Sequence, residues 1–209
     1  MIAHHPSDDS LARLAAGTLG AGPQLVVATH LSGCPRCRGR LRTFEAAAGA
    51  MLEDAAPARL GPDAFARVLR QLDADPPASP EPSVLHPELP PPLQAYEIGP
   101  WRFVHPGFRW RRLSLPESRD ANVIMLKVAA GQAVPHHGHS GTEYTQVLTG
   151  SFADALGHYR VGDCVEMDEE VDHQPIVDPG GECVCLAAVE GKLRLSGWVG
   201  RLIQPLIGI

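Results

Sequence analysis

Eight of the chain's 20 prolines fall in the 17 residues from Pro76 to Pro92. Proline fixes φ and carries no backbone N–H, so neither a helix nor a central strand runs through such a stretch. It reads as an extended, semi-rigid spacer, with a long surface loop within one domain as the alternative. It divides the 209 residues into a head over residues 1–75, a linker over 76–95 and a larger body over 96–209. The two flanks differ in hydrophobic period, which is the mark of two domains of different class.

The head is helical. Ser7, Asp8 and Asp9 can cap a helix whose apolar positions are Leu11, Leu14, Ala15 and Leu19, with Gly20 and Gly22 ending it. A second helix is expected from Pro23 with Leu25, Val26 and Leu31. A third is expected from about Pro35 with Leu41, Phe44, Ala48, Met51 and Leu52. A fourth should run from about Pro62 to Asp73 with Phe65, Val68, Leu69 and Leu72 on one face. Four short helices in about 70 residues bury little surface, and domains of that size commonly need a staple such as a metal. In the body the period becomes two. Strands are expected at 121–128, 145–148 and 182–186, separated by turn signals at Gly150, Gly162, Pro179-Gly180-Gly181 and Glu190-Gly191. Short strands at this spacing suggest a sandwich or jelly-roll barrel. The fold class is therefore multidomain α and β, a small four-helix domain followed by a β-barrel domain. The apolar tail Leu202–Ile207 is expected to close the barrel, with a dimer contact as the alternative.

Composition excludes several functions. No apolar run approaches the roughly 20 residues of a membrane span. The N-terminus lacks a basic region followed by an apolar stretch, so a cytoplasmic location is expected. Net charge is −6, shared as −2 over residues 1–95 and −4 over 96–209, which is not the footprint of a direct nucleic-acid binder. Five cysteines without an export signal read as metal ligands, redox groups or core residues rather than a disulfide framework.

Two constellations carry chemistry. His30-x3-Cys34-x2-Cys37 spans the junction of the second and third helices. A Cys-x2-Cys turn aims two sulfurs at one ion, a histidine four residues upstream can join them, and Zn2+ takes four such ligands. The fourth is expected from His5, which precedes the first helix, with His4 as its competitor. A thiol redox pair is the alternative reading, although the βαβ context of a thioredoxin-like motif is missing. Arg36, Arg38, Arg40 and Arg42 read as a solvated helix face. The second constellation is Gly131-x5-His137-x-His139-x3-Glu143-x6-Gly150. His137 and His139 share a strand face, Glu143 starts the next strand after a short turn, and His173 on a later strand completes a set of three histidines and one glutamate. Such a set suits Zn, Fe, Mn, Ni or Cu. His136 alternates to the other face, and His105 and His158 have no motif partner. Glu166 to Asp172 read as a solvated acidic turn. Cys183 and Cys185 read as core residues, with a redox role if their face lines the metal pocket.

The run Leu11 to Leu19, followed by His30-Leu31-x2-Cys34-Pro35-x-Cys37-Arg38, resembles the N-terminal region of zinc-binding anti-sigma factors. That family clamps an extracytoplasmic-function sigma factor with four helices and normally draws its fourth ligand from a histidine near the N-terminus, which favours His5. The second constellation resembles the first cupin motif at every position. The second cupin motif is met only at Gly162 and His173, with Asp168, Glu170 and Val177 standing where Pro, Gly and Asn are usual. Both halves in this order resemble the ChrR class of anti-sigma factors. The resemblance implies a non-enzymatic transcription regulator with two zinc sites, the metal of the barrel being less determined. It would form a 1:1 complex with a sigma factor, and its cupin domain would be needed to sense singlet oxygen or organic hydroperoxides. The rival expectations are a metal-dependent, dioxygenase-like cupin enzyme and a cupin that only binds a small molecule.

Overall fold

The computed structural model describes residues 1–72, 85–116, 118 and 121–195. Asp73, linker residues 76–84 and the tail Leu202–Ile207 lie outside these residues. Four helices come first: α1 (Asp8–Ala15), α2 (Ala21–Gly33), α3 (Pro35–Glu53) and α4 (Ala64–Leu72). The Ser7 side chain caps α1 by accepting the Ser10 N–H, and Asp8 and Asp9 sit in its first turn, where the helix dipole favours negative charge. α1 stops a turn earlier than its apolar spacing predicts. Gly17 takes a left-handed φ of 67°, and the N–H groups of Thr18 and Leu19 fold back onto the Arg13 carbonyl, so Leu19 enters the core from a turn. Gly22 does not break a helix; it lies in the first turn of α2 together with Pro23.

Twelve strands follow: β1 (Glu97–Ile98), β2 (Arg102–His105), β3 (Phe108–Ser114), β4 (Val123–Val128), β5 (His137–His139), β6 (Glu143–Thr149), β7 (Ser151–Ala153), β8 (His158–Arg160), β9 (Cys164–Met167), β10 (Ile176–Val177), β11 (Cys183–Val189) and β12 (Leu193–Leu195). The main antiparallel sheet runs β1-β3-β4-β11-β6-β9, with β2 pairing β3. Opposite it stand a small sheet, β10-β7-β8, and the pair β12-β5. This is the expected helical head followed by a β-rich barrel.

The two faces of the main sheet have separate tasks. On β4, β6 and β11 the residues Ile124, Leu126, Val147, Cys183, Cys185 and Ala187 point into the barrel. Val123, Met125, Tyr144, Leu186 and Ala188 point out. The outward set joins Leu11, Leu19, Leu25, Val26, Val27 and Leu31 of the head in one core. Helix α2 is therefore apolar on most sides: it lies between the other helices and the barrel's outer wall. Residues 85–95, read as the end of the spacer, belong to this packing. Leu93, in a 3-10 turn at Pro91–Leu93, is fully buried, and the Leu85 N–H bonds the Gln94 carbonyl at 2.9 Å. Polar ties complete the docking. Arg13 grips Glu190 with two nitrogens, at 2.8 and 3.2 Å, and Ser10 Oγ lies 3.1 Å from the Tyr144 hydroxyl.

Gly22 sets how closely α2 approaches the wall. A Cβ there would stand 3.2 Å from both Ala188 Cβ and Val123 Cγ2. Gly22→Leu should destabilise the protein by about 1–3 kcal/mol, the usual cost of overpacking, despite the better helix propensity of leucine. A lower urea midpoint at unchanged m value is the expected readout; an unchanged midpoint would show that α2 does not press on the sheet.

Candidate metal centres

His30 lies on the last turn of α2, Cys34 is the hinge residue between α2 and α3, and Cys37 is on the first turn of α3. One tight turn thus delivers three donors to one point. His5 reaches the same point from the segment before α1. His5 Nδ1 lies 3.4 Å from His30 Nε2, 3.5 Å from Cys34 Sγ and 3.3 Å from Cys37 Sγ, and His30 Nε2 lies 3.3 Å from Cys37 Sγ. A tetrahedral ion with Zn–N of about 2.0–2.1 Å and Zn–S of about 2.3 Å requires edges of roughly 3.3–3.8 Å. The donor set fits zinc. His4 turns elsewhere: its Nδ1 donates to Asp163 Oδ2 at 3.2 Å.

The electrostatics agree with that fit. Burial pushes the pKa of His30 down, against the hydrogen bond to the Gly162 carbonyl; burial and nearby Arg36 do the same for His5. Both rings are then neutral and able to ligate. The Gly162 carbonyl can only accept, so His30 Nδ1 carries the proton, at 3.0 Å, and Nε2 is left free toward the sulfurs. Burial, together with the Cys34 thiol beside it, pushes Cys37 up to about 12. A thiol so raised ionises next to a cation, and a bound divalent ion supplies that condition at Cys37.

The second cluster lies inside the barrel. His137 and His139 on β5 and Glu143 at the start of β6 project to one side, as their spacing predicts. His173 differs from expectation: it belongs to no strand but to an isolated bridge with His137, held by two backbone hydrogen bonds of 2.9 and 3.0 Å. His137 Nε2 lies 3.1 Å from His173 Nε2. Glu143 Oε2 stands 2.6 Å from His139 Nε2, 3.7 Å from His137 Nε2 and 3.6 Å from His173 Nε2. Although His139 Nε2 and Glu143 Oε2 are so close, both are buried atoms without hydrogen-bond geometry to any partner. Buried polar atoms rarely go unsatisfied. Two such lone pairs aimed at a common point with two more imidazoles fit a cation.

The supporting contacts fix the tautomers. His137 Nδ1 donates to the Pro135 carbonyl at 2.7 Å, and His173 Nδ1 donates to Asp154 Oδ2 at 2.9 Å, leaving Nε2 of each for the site. Thr145 Oγ1 holds Glu143 Oε1 at 3.0 Å. Burial alone would raise the pKa of Glu143, but the three imidazoles outweigh it and hold the carboxyl well below the ordinary range. The cavity beside the cluster is lined mainly by apolar side chains, among them Phe108, Trp110, Ile124 and Leu126. Cys183 and Cys185 line a second, adjoining cavity that also reaches His137, Glu143 and His173, with their sulfurs 3.6 Å apart. Their strand face therefore does line the pocket.

Other sequence readings change. His136 is exposed, consistent with its alternation. His158 has a partner after all, Asp178 Oδ2 at 2.6 Å. Ser151 bonds that same carboxylate, so serine and histidine meet at the acid and not at each other, and no nucleophile–base pair results. Arg36, Arg38, Arg40 and Arg42 are all exposed, as expected of a solvated face, with Arg38 donating to the carbonyls of Leu31 and Ser32 and Arg40 pairing with Asp8 at the surface. Glu166 is on β9 and accepts the Ser7 N–H at 3.0 Å, outside the supposed acidic turn. Asp154 and Asp163 carried no sequence signal; each is an acid beside a turn, and only the fold shows which histidine it meets.

Residues 94–192 match the family described as the ChrR cupin-like domain. The chain is 38% identical over 213 residues to the anti-sigma-E factor ChrR of Cereibacter sphaeroides, covering 100% of this chain and 99% of the relative. It also matches the crystal structure of Rhodobacter sphaeroides SigE in complex with the anti-sigma ChrR, at a TM-score of 0.74 and 37% identity, over 91% of this chain and 100% of that one. An RmlC-like cupin protein from Ralstonia eutropha is a more distant likeness, with a TM-score of 0.42 and 21% identity over 48% of this chain and 69% of that chain.

Proposed function

This chain belongs to the ChrR family of anti-sigma factors, and from that premise we propose that it sequesters an extracytoplasmic-function sigma factor in a 1:1 complex. In this reading His5, His30, Cys34 and Cys37 bind a structural zinc that shapes the head. His137, His139, Glu143 and His173 bind a second ion, again zinc, in a barrel that detects singlet oxygen or related oxidants. The protein acts in the cytoplasm, as a regulator and not an enzyme. Among the described residues no helix is long and apolar enough to cross a membrane.

The observation that carries the proposal is α4. Its apolar face is intact in sequence, yet Phe65 is 75% exposed and Leu72 75%, and Val68 and Leu69 are exposed beside them. At the far end of α3, Met51 and Leu52 are each 76% exposed. A helix of this amphipathicity with nothing against it among the described residues is a surface for a partner. A relative of known structure was crystallised with SigE, which makes a sigma factor the partner of choice.

Co-expression with a candidate extracytoplasmic-function sigma factor from the same organism should yield a 1:1 complex that survives high salt. Phe65→Glu should weaken that complex by more than about tenfold, the scale of an interface hot spot, with zinc content and thermal midpoint unchanged. Full-strength binding by Phe65→Glu would remove α4 from the interface, and failure to co-purify at all would end the sigma-factor reading. A second reading rests on the apolar cavity beside the barrel cluster, which could admit a small molecule. Redox-active iron in that cluster would favour dioxygenase chemistry; zinc at both sites favours the regulator.

A further inference from the structure

We propose that the β7–β8 hairpin couples the two metal centres, so that the state of the barrel cluster sets how firmly the N-terminal segment bearing His5 is held. The inference rests on the regulator reading and gives it a physical route.

The route begins at His173, whose outer nitrogen is held by Asp154 at 2.9 Å. Asp154 follows β7 directly, and its side chain is fully buried. Its other oxygen caps the hairpin turn by accepting the N–H groups of Leu156 at 2.8 Å and Gly157 at 3.1 Å. Burial, together with the Asp154 carboxylate beside it, pushes the Tyr159 phenol on β8 up to about 12, and its ring lies against Phe152 of β7 with centroids 4.9 Å apart. The geometry of this hairpin is thus tied to one ligand of the barrel ion.

At its other end the hairpin carries the N-terminal segment. The Tyr159 ring packs edge-on against His4, with centroids 4.6 Å apart. Asp163, three residues past β8 and 2% exposed in its side chain, accepts the N–H groups of Ala3 at 2.7 Å, His4 at 3.1 Å and Arg160 at 2.9 Å, and the His4 ring at 3.2 Å. The Cys164 N–H reaches the His4 carbonyl at 3.2 Å. Ile2 covers Gly162, where φ is 92° and a Cβ would stand 2.8 Å from Ile2 Cγ1. His5 is the next residue after this clasp, and Gly162 also supplies the carbonyl that orients His30. Two ligands of the head's ion are therefore positioned by the loop that leaves the hairpin.

The hairpin is suited to move where the main sheet is not. β6 also has one face toward each centre, but β11 and β9 pair it on both sides. β7 and β8 belong to the small β10-β7-β8 sheet, in which β8 is an edge. When the barrel ion is lost or its ligands are oxidised, His173 loses its fixed orientation and Asp154 its partner. The shift passes through Tyr159 to the clasp and favours the released state of residues 1–5.

Hydrogen–deuterium exchange of the N-terminal peptide, measured on the full chain loaded with Zn(II), tests this. Glu143→Ala should speed exchange at the Ala3 and His4 amides by roughly tenfold, the scale of one hydrogen bond to a charged group. Asp154→Asn, which keeps all four barrel ligands, should do the same with barrel zinc retained, so the test survives if Glu143→Ala unfolds the barrel. In a Tyr159→Phe background, where the ring stays and the hydroxyl link is gone, Glu143→Ala should leave the rate within about twofold of its parent. An N-terminal peptide indifferent to Asp154→Asn, or a tenfold ratio that persists in Tyr159→Phe, overturns the coupling. Sigma-factor capture is scored on the same samples, so loss of the functional reading and loss of the coupling are separate results.

Discussion

Cys34→Ser should remove one zinc per chain and, with it, the hold on the sigma factor. A serine hydroxyl does not replace a thiolate as a zinc ligand, and structural zinc sites contribute on the order of 10 kcal/mol of folding free energy in small peptides. The loss should not unfold the whole head. Leu25, Val26 and Val27 of α2 are buried in the core shared with the barrel wall, and that packing does not depend on the ion. The expected result is a chain with its β-sheet signal intact and α2 still protected. The segment before α1 and the start of α3 should be loosened, and sigma-factor affinity should fall by at least about a hundredfold, only part of the zinc contribution being expressed in binding. Cys164→Ser is the control, since Cys164 is buried nearby but outside the four-donor cluster. Metal analysis and titration with the sigma factor decide the matter; tight binding by a zinc-free Cys34→Ser chain would sink the structural-zinc reading.

Glu143→Ala should produce the complementary phenotype. It removes one of four donors and the only acid among them, leaving three imidazoles to face one another in a buried space. Barrel metal affinity should fall by more than the roughly 10–100-fold that loss of an outer-shell partner costs. The head keeps its own four donors, so sigma-factor binding should persist, weakened by no more than the roughly tenfold loosening of its N-terminal segment, while further release on oxidant exposure is lost. Metal content per chain and sigma-factor release after singlet-oxygen exposure are the measurements. A Glu143→Ala chain that still releases its partner on exposure would place detection outside the barrel cluster.

Much of this was legible because the decisive spacings are local. His30, Cys34 and Cys37 lie within one turn between two helices, and His137, His139 and Glu143 within two successive strands, so short spacing brings each set together. Where donors come from afar, the sequence offered less. It could not separate His5 from His4 by spacing; the structure does, because the backbone at Ala3 and His4 is pinned to Asp163 and the next side chain turns inward. It placed His173 on a strand, whereas a single bridge to His137 holds it. The docking of head on barrel was also invisible. Period-two alternation shows that a strand has two faces, but both faces of β4 and β11 are apolar, and a chain read one residue at a time does not say what lies on the outer one. The end of the linker misled for a related reason: prolines do forbid a helix or central strand, yet they do not keep Leu93 from being buried.

Because α2 has the barrel's outer wall as its main apolar neighbour, head and detector are not interchangeable parts. Grafting these helices onto a different barrel would require transplanting Val123, Met125, Tyr144, Leu186 and Ala188 with them. A head expressed by itself would present the bare side of α2 to water and invite aggregation.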